Sequence, residues 1–339
     1  EAGLPRMILV NKMDRDNASF SRTMEQLREK FDATFVPIAL PIGARDTFTG
    51  IVDLVAMKAY LGADGKEGDV PAAMRDEVEA ARTEMMEYAA EADDELMMKY
   101  LDGEELTNDE IRGALAKGAA KGQFVPVLAG AATKNIGVRY LLDAITAYMP
   151  APGDVERTAH NPVTDDDVTL AADPAAPLAA QVFKTLADPF VGKLTYFRVF
   201  SGTMTSDSRV FNSTKNEEER LGQLFVIRGK EQLPVDAVKA GDIGATAKLG
   251  VTVTSDTLCD RGNPFVLPPI TYPEPLYSVA VFPKTKADLD RLGNGLARLV
   301  EEDPTLRIER NVETSETILS GMGESHIQIA SRRLAQKFS

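Results

Sequence analysis

The chain has 339 residues, 44% hydrophobic and 27% charged, which suits two or three soluble domains with sizeable cores. A single cysteine, Cys259, excludes an internal disulfide framework and fits a reducing cytoplasm, where a lone thiol in a β-rich segment serves as a small apolar filler. The net charge of −14 argues against a nucleic-acid binder, but residues 67–110 alone hold 16 acidic and 3 basic residues, so the remainder is close to neutral. No apolar run approaches the ~20 residues that cross a bilayer, and no basic stretch followed by an apolar one opens the chain as a secretory signal would.

An apolar strand is expected at residues 7–10, so soon after Glu1 that the chain reads as cut at a boundary inside a domain. Phe20, Met24, Leu27 and Phe31 recur at helical spacing over residues 19–31. Short strands follow near 34–40 and 50–55. The acidic segment is helical in pattern, with Met74, Val78, Met85, Tyr88, Leu96 and Met97 on its core side. Its charge is either a solvated face or a docking surface for a basic partner. A strand at 123–128 runs into Gly130-Ala131-Ala132-Thr133-Lys134-Asn135, and a helix is expected over 137–148. Residues 1–153 therefore read as α/β.

Pro150-Ala151-Pro152-Gly153-Asp154 ends that helix, and 154–177 reads as a polar linker. Short strands at 179–184, 192–200, 202–204, 208–212, 223–227 and 243–248 then predict a closed antiparallel barrel over 178–268. Pro268-Pro269 and Pro273-Glu274-Pro275 mark a second boundary. Beyond it, strands at 276–282, 306–311 and 317–320 and helices at 288–300 and 326–337 give a βαββα order, a small split α+β domain over 274–339.

Two loops carry candidate chemistry. Asn11-Lys12-Met13-Asp14 follows the first strand, and in α/β sheets ligands bind at the carboxyl ends of strands. The Asp14 carboxylate can accept two hydrogen bonds from the ring N–H and exocyclic amine of guanine, a pair that adenine lacks. Asn11 can bond the N7/O6 edge or brace the loop, and the Lys12 stem can lie along the base. Gly130-Ala131-Ala132-Thr133-Lys134 supplies small residues that let backbone approach a ligand, with a lysine at the rim. The bland alternatives are turn and N-cap roles for Asn11 and Asp14, and an ordinary strand-to-helix turn for residues 130–134. No Gly-x-x-x-x-Gly-Lys-[Ser/Thr] loop and no dinucleotide fingerprint occurs.

Longer runs go further. Asn11-Lys12-Met13-Asp14-Arg15, Leu40-Pro41-Ile42-Gly43, Phe48–Leu54 and Met57-Lys58-Ala59-Tyr60 resemble the elongation factor G family of translational GTPases. Asp188–Leu194 and Val199-Phe200-Ser201-Gly202-Thr203 resemble its second domain. Pro283–Asp288, Glu301–Leu306 and Ser320-Gly321-Met322-Gly323-Glu324 resemble its third. The resemblance is colinear over nearly the whole chain.

It implies a partial P-loop-type GTPase domain with an acidic helical insert at about 34–122, then a translation-factor barrel and a small α+β domain. It also implies a cytoplasmic protein that binds GTP and GDP. Asn11, Lys12 and Asp14 would read guanine, the Ala132 N–H would bond its O6, and Ala131 and Thr133 would complete the loop. Ala131 stands where the family has a serine, removing a hydroxyl that would brace Asp14, a loss of about 1 kcal/mol. That departure is similar to factor-G-like second-copy paralogues, and Ser325, where leucine is usual, is another. The magnesium ligands, switches and catalytic histidine would precede Asn11, so the fragment is expected to be inactive as a GTPase. His160 and His326 match no catalytic motif. The implied partner is the ribosome: ribosomal RNA through the barrel, with Lys193, Arg198, Lys215, Arg220 and Arg228 as phosphate contacts, and the large-subunit stalk protein through the insert. A ribosomal-protection or recycling factor, and a non-catalytic ribosome-binding module, are the alternatives.

Overall fold

Val125–Ala129 is apolar on both faces, and such a run fits a strand covered on both sides. In the computed structural model it is the middle strand of a parallel sheet. The structure describes residues 3–188, 192–283, 285 and 288–338, in two units, Glu1–Ala151 and Pro152–Ser339. The quoted motif residues Pro189, Phe190, Val191, Lys284, Lys286 and Ala287 lie outside the described residues.

The first unit runs β1 (Ile8–Val10), α1 (Phe20–Lys30), β2 (Phe35–Pro37), β3 (Ala39–Ile42), β4 (Gly50–Asp53), β5 (Lys58–Leu61) and β6 (Lys66–Gly68). Then come α2 (Arg75–Glu91), α3 (Asp94–Leu101), α4 (Asn108–Ala120), β7 (Val125–Ala129) and α5 (Val138–Tyr148). The main sheet has the order β1-β7-β2, parallel throughout. Pro126 has no N–H to donate, and it sits opposite Val36, one residue before β1 begins to pair at Ile8 with Val127. Ser19 caps α1 by accepting from the Arg22 N–H, and Phe20 and Met24 turn into the core.

The insert starts later than expected. Residues 35–37 are wholly buried in the main sheet, so the added structure begins with the antiparallel meander β3-β4-β5-β6 at Ala39. Part of its acidity is structural. Asp76 and Glu77, Asp94 and Glu95, and Asp109 and Glu110 occupy the first turns of α2, α3 and α4, where carboxylates meet the positive end of the helix dipole. Asp93 caps α3, and Thr107 with Glu110 forms a capping box on α4.

In the second unit, the stretch read as a linker folds into a hairpin of β8 (Arg157–Asn161) and β9 (Asp166–Leu170). Ala159 and Leu170 bury against Cys259, Phe265 and Leu267, which is enough apolar surface to order an otherwise polar segment. The strands that follow are β10 (Ala179–Asp188), β11 (Gly192–Ser201), β12 (Thr203–Thr205), β13 (Arg209–Asn212) and β14 (Glu217–Arg220). After them come β15 (Leu224–Arg228), β16 (Glu231–Val235), β17 (Ala237–Lys239), β18 (Ile243–Ala247) and β19 (Thr257–Cys259). Eight of them form one antiparallel sheet, β14-β13-β19-β10-β11-β18-β15-β16, around a single core that includes Val182, Phe197, Val199, Val210, Leu224 and Leu258. β12 pairs separately with β17. Cys259 is buried, its thiol pushed up by burial and lying 3.6 Å from the Phe211 carbonyl oxygen.

The chain ends in β20 (Tyr277–Val281), α6 (Leu289–Glu302), β21 (Arg307–Arg310), β22 (Thr317–Gly321) and α7 (Glu324–Phe338), with sheet order β20-β22-β21. Both histidines hold structure. His326 Nδ1 accepts from the Met322 N–H at 3.1 Å, so Nε2 carries the proton toward Asp303, 3.0 Å away. His160 lies between Asp165 and Asp167 at 3.5 and 3.4 Å.

β14 reads Glu-Glu-Glu-Arg, which no propensity scale would make a strand. Glu219 explains it. Its carboxylate accepts from the Gly250, Val251 and Thr252 N–H groups at 2.6, 2.9 and 3.0 Å, and from the Thr252 hydroxyl. Burial raises its pKa, but these donors outweigh burial and hold it below the ordinary 4.5. Glu219→Ala should cost the barrel about 1–3 kcal/mol in urea unfolding at neutral pH. Because the folded pKa is depressed, this stabilisation is present above the ordinary value and is lost as pH falls through the folded one. The deficit of the variant should therefore shrink on acidification.

Candidate nucleotide-base site

The carboxyl ends of β1 and β7 lie side by side, with Val10 in register with Ala129. Pairing continues past both ends: the Gly130 N–H donates to the Val10 carbonyl at 3.0 Å, and the Met13 N–H donates to the Gly130 carbonyl at 3.1 Å. Two loops 120 or so residues apart in sequence are thereby held together by backbone alone.

Within the first loop the residues alternate in role. Lys12 adopts the left-handed region at φ 61°, costly for a residue with a Cβ, and leaves its side chain exposed. Met13 is 1% exposed and anchors the loop, while its carbonyl accepts from the Arg45 N–H at 2.8 Å. Asn11 Oδ1 accepts from the Lys12 N–H at 2.7 Å and from the Ala132 N–H at 3.0 Å. Of the two roles open to Asn11, the structure shows the brace. The Ala132 N–H, expected to meet a base oxygen, here donates to Asn11.

Asp14 turns inward, with a side chain only 6% exposed. Its Oδ2 is 3.6 Å from Lys134 Nζ, while its Oδ1 is buried with no hydrogen-bond partner. Ala131 is wholly buried and offers no hydroxyl there. A buried carboxylate oxygen without a donor costs about 1–3 kcal/mol, which leaves Asp14 Oδ1 an open acceptor.

The second loop makes a single turn over Ala132–Lys134, with Thr133 exposed, and leaves through two left-handed residues. Asn135, φ 57°, donates from Nδ2 to the Ala63 carbonyl at 2.9 Å and so ties the loop to the β5–β6 turn of the insert. Gly137, φ 77°, has to be glycine: a Cβ would stand 2.8 Å from the Ala129 carbonyl oxygen. The Asn135 tie and the Arg45 brace were invisible in the sequence, where a short-range pattern marks a turn but not its long-range partner.

The barrel cations are scattered and mostly engaged. Lys193 pairs with Glu301, Lys215 lies 3.9 Å from Asp256, and Arg228 is 2.7 Å from Glu231. Arg198 and Arg157 each sit 5.6 Å from the Phe200 ring centroid, and Arg220 enters no ion pair among the described residues. In the insert, Glu84, Asp93 and Glu110 pair with Arg28, Lys117 and Lys99. Asp76, Glu77, Glu79, Asp94 and Glu95 are exposed.

Three family models match in chain order: "Elongation factor Tu GTP binding domain" over residues 1–151, "Elongation factor G domain 2" over 177–261 and "Elongation Factor G, domain III" over 272–339. A crystal structure of a protein from Thermus thermophilus is similar over 98% of this chain at 32% identity and a TM-score of 0.83, covering 48% of that protein's length. The three domains follow one another as in elongation factor G-like proteins. The chain is an elongation factor G-like fragment, and it spans about half the length of the solved protein it matches.

Asn11→Ala would leave the Lys12 and Ala132 N–H groups without their acceptor. The expected loss is about 1 kcal/mol of local stability, seen as several-fold faster amide exchange at Ala132 with the main sheet unaffected.

Proposed function

We propose that Asn11, Lys12 and Asp14, with Ala131, Ala132 and Thr133, form the guanine-reading half of a GTP/GDP site. The whole protein then couples GTP hydrolysis to movement of tRNA and mRNA through the ribosome. The observation that carries this reading is the buried, unpartnered Oδ1 of Asp14 beside Lys134. Guanine presents two adjacent donors to a carboxylate and adenine does not, so of the two purines guanine is the one that fits Asp14. Lys134, 3.6 Å from Oδ2, balances the carboxylate charge, while a serine hydroxyl at position 131 would instead donate a hydrogen bond to it. With no phosphate-cradling glycine loop in this sequence, these residues supply selectivity rather than most of the affinity, and magnesium would be held elsewhere in the protein.

For partners, the reading places ribosomal RNA against the barrel domain and the large-subunit stalk protein against the exposed carboxylates of the insert. Asp76, Glu77, Glu79, Asp94 and Glu95 support the second contact, since their charges point to solvent and are free for a basic surface. The barrel contact has less support, because Lys193, Lys215 and Arg228 already face carboxylates. The protein is cytoplasmic in this reading, and no helix among the described residues is long and apolar enough to cross a membrane.

Calorimetric titration of GDP, GTP and ATP tests the base assignment, on this chain and on one carrying the upstream residues. GDP and GTP should bind the longer chain in strong preference to ATP. Asp14→Ala should cut that preference by about 1–3 kcal/mol, roughly one to two orders of magnitude. A longer chain indifferent to guanine nucleotides would instead favour a ribosome-binding module without nucleotide recognition. For the insert, reversing Glu77 and Glu79 to Lys should weaken stalk-protein binding, and added salt should reduce the difference.

A further inference from the structure

A cleft of ≈ 680 Å³ opens in the first unit between the β4–β5–β6 hairpins and helices α4 and α5. The base site does not use it, though Asn135 and Gly137 belong to both neighbourhoods. Its size falls within the range of small-molecule sites, about 300–1,000 Å³.

The floor is acidic and aromatic. Asp53 is 5% exposed, with Oδ1 accepting from the Val55 N–H at 2.8 Å and the Ala56 N–H at 3.2 Å. Burial nevertheless raises its pKa. Tyr60 and Tyr140 bring ring centroids to 6.0 Å at 31°, and Tyr148 is 4% exposed. All three phenols are pushed up, first by burial and next by the Asp53 charge, Tyr148 to about 12. They stay protonated beside the Asp53 carboxylate.

Four carboxylates line the cleft, Asp53, Asp64, Glu67 and Asp143, against three cations, Lys66, Arg112 and Arg139. Arg112 lies 3.3 Å from Asp109 and beside the Tyr148 hydroxyl, and its charge also offsets part of that of Asp53. Lys66 and Arg139 are exposed at the mouth, where Asp64, Glu67 and Asp143 face them with opposite charge. An anion at the floor would meet a carboxylate and neutral phenols. A cation would meet the carboxylate and electron-rich ring faces.

We propose that this cleft binds a primary alkylammonium group, seated against Asp53 and the rings of Tyr60 and Tyr140. The same chemistry is offered by a free polyamine and by a lysine side chain of a partner protein. The proposal does not depend on nucleotide binding by the chain.

The test is a titration of spermidine, and separately of N-acetyl-lysine amide, into the isotopically labelled chain at low salt, followed by NMR. Spermidine should give saturable shifts at Tyr60, Tyr140 and Tyr148. Asp53→Asn, which keeps the oxygen that caps the β4 turn, should weaken binding about tenfold or more. Asp143→Asn, at an exposed position, should weaken it several-fold and carries the test if Asp53→Asn does not fold. Saturation by the lysine amide as well identifies a protein side chain as a competent ligand. Saturation by spermidine alone identifies the free polyamine. Shifts confined to the acidic helices α2 and α3, affinity unchanged in both variants, or citrate binding in place of spermidine would each overturn the proposal.

Discussion

The architecture of the first unit depends on β7 having a parallel partner on each side. A strand buried on both faces has to satisfy its backbone through neighbours on both edges, because no water reaches it. β1 and β2 meet that demand, and their register places Val10 against Ala129. Everything that distinguishes the candidate site follows from this adjacency. The Asn11–Asp14 loop and the 131–134 turn meet because their parent strands end together, and the side-chain brace from Asn11 only tightens a contact the sheet has already made.

The site concentrates unfavourable local choices. Lys12 and Asn135 take left-handed backbone, Gly137 cannot carry a side chain, and Asp14 is buried with one oxygen unsatisfied. Left-handed backbone occurs elsewhere too, at Arg45, Met57 and Lys248 among others, and Thr195 and Arg198 also bury an unpartnered polar atom, while α1, α3 and α4 carry ordinary caps. What sets the two loops apart is that left-handed backbone, an obligatory glycine and an unpartnered carboxylate oxygen fall within one neighbourhood. Ala131 offers Asp14 no hydroxyl, and Lys134 lies 3.6 Å from its Oδ2 to neutralise it. The carboxylate is then oriented by charge more than by directed bonding.

Much of this was legible in the residues. Amphipathic α1 and α5, apolar β1 and β7, and the βαββα order of residues 277–338 all carry the periodicity that burial imposes. The loops of the base site were marked by their residue types and by where their strands end. What escaped reading was structure whose cause lies far off in sequence. Phe35–Pro37 reads equally well as insert or main sheet until Val125–Val127 is seen beside it. The β8–β9 hairpin looks polar because, among its residues, Ala159 and Leu170 bury in the core they share with Phe265 and Leu267 and Val168 packs against it only in part. β14 is made a strand by one carboxylate capping the 250–252 turn. The acidic run hid two functions under one composition, helix-start electrostatics and exposed charge, which only coordinates separate.

The burial of Cys259 has a practical reach. The thiol is enclosed beneath the β8–β9 hairpin, faces the Phe211 carbonyl and is held protonated by its surroundings, so it is a poor nucleophile toward maleimides or disulfide reagents. With no second cysteine in the chain, any thiol placed on the surface becomes the one reactive handle. Fluorophores, spin labels or crosslinkers can then report on the base loops or the insert without first removing a native residue from the barrel core.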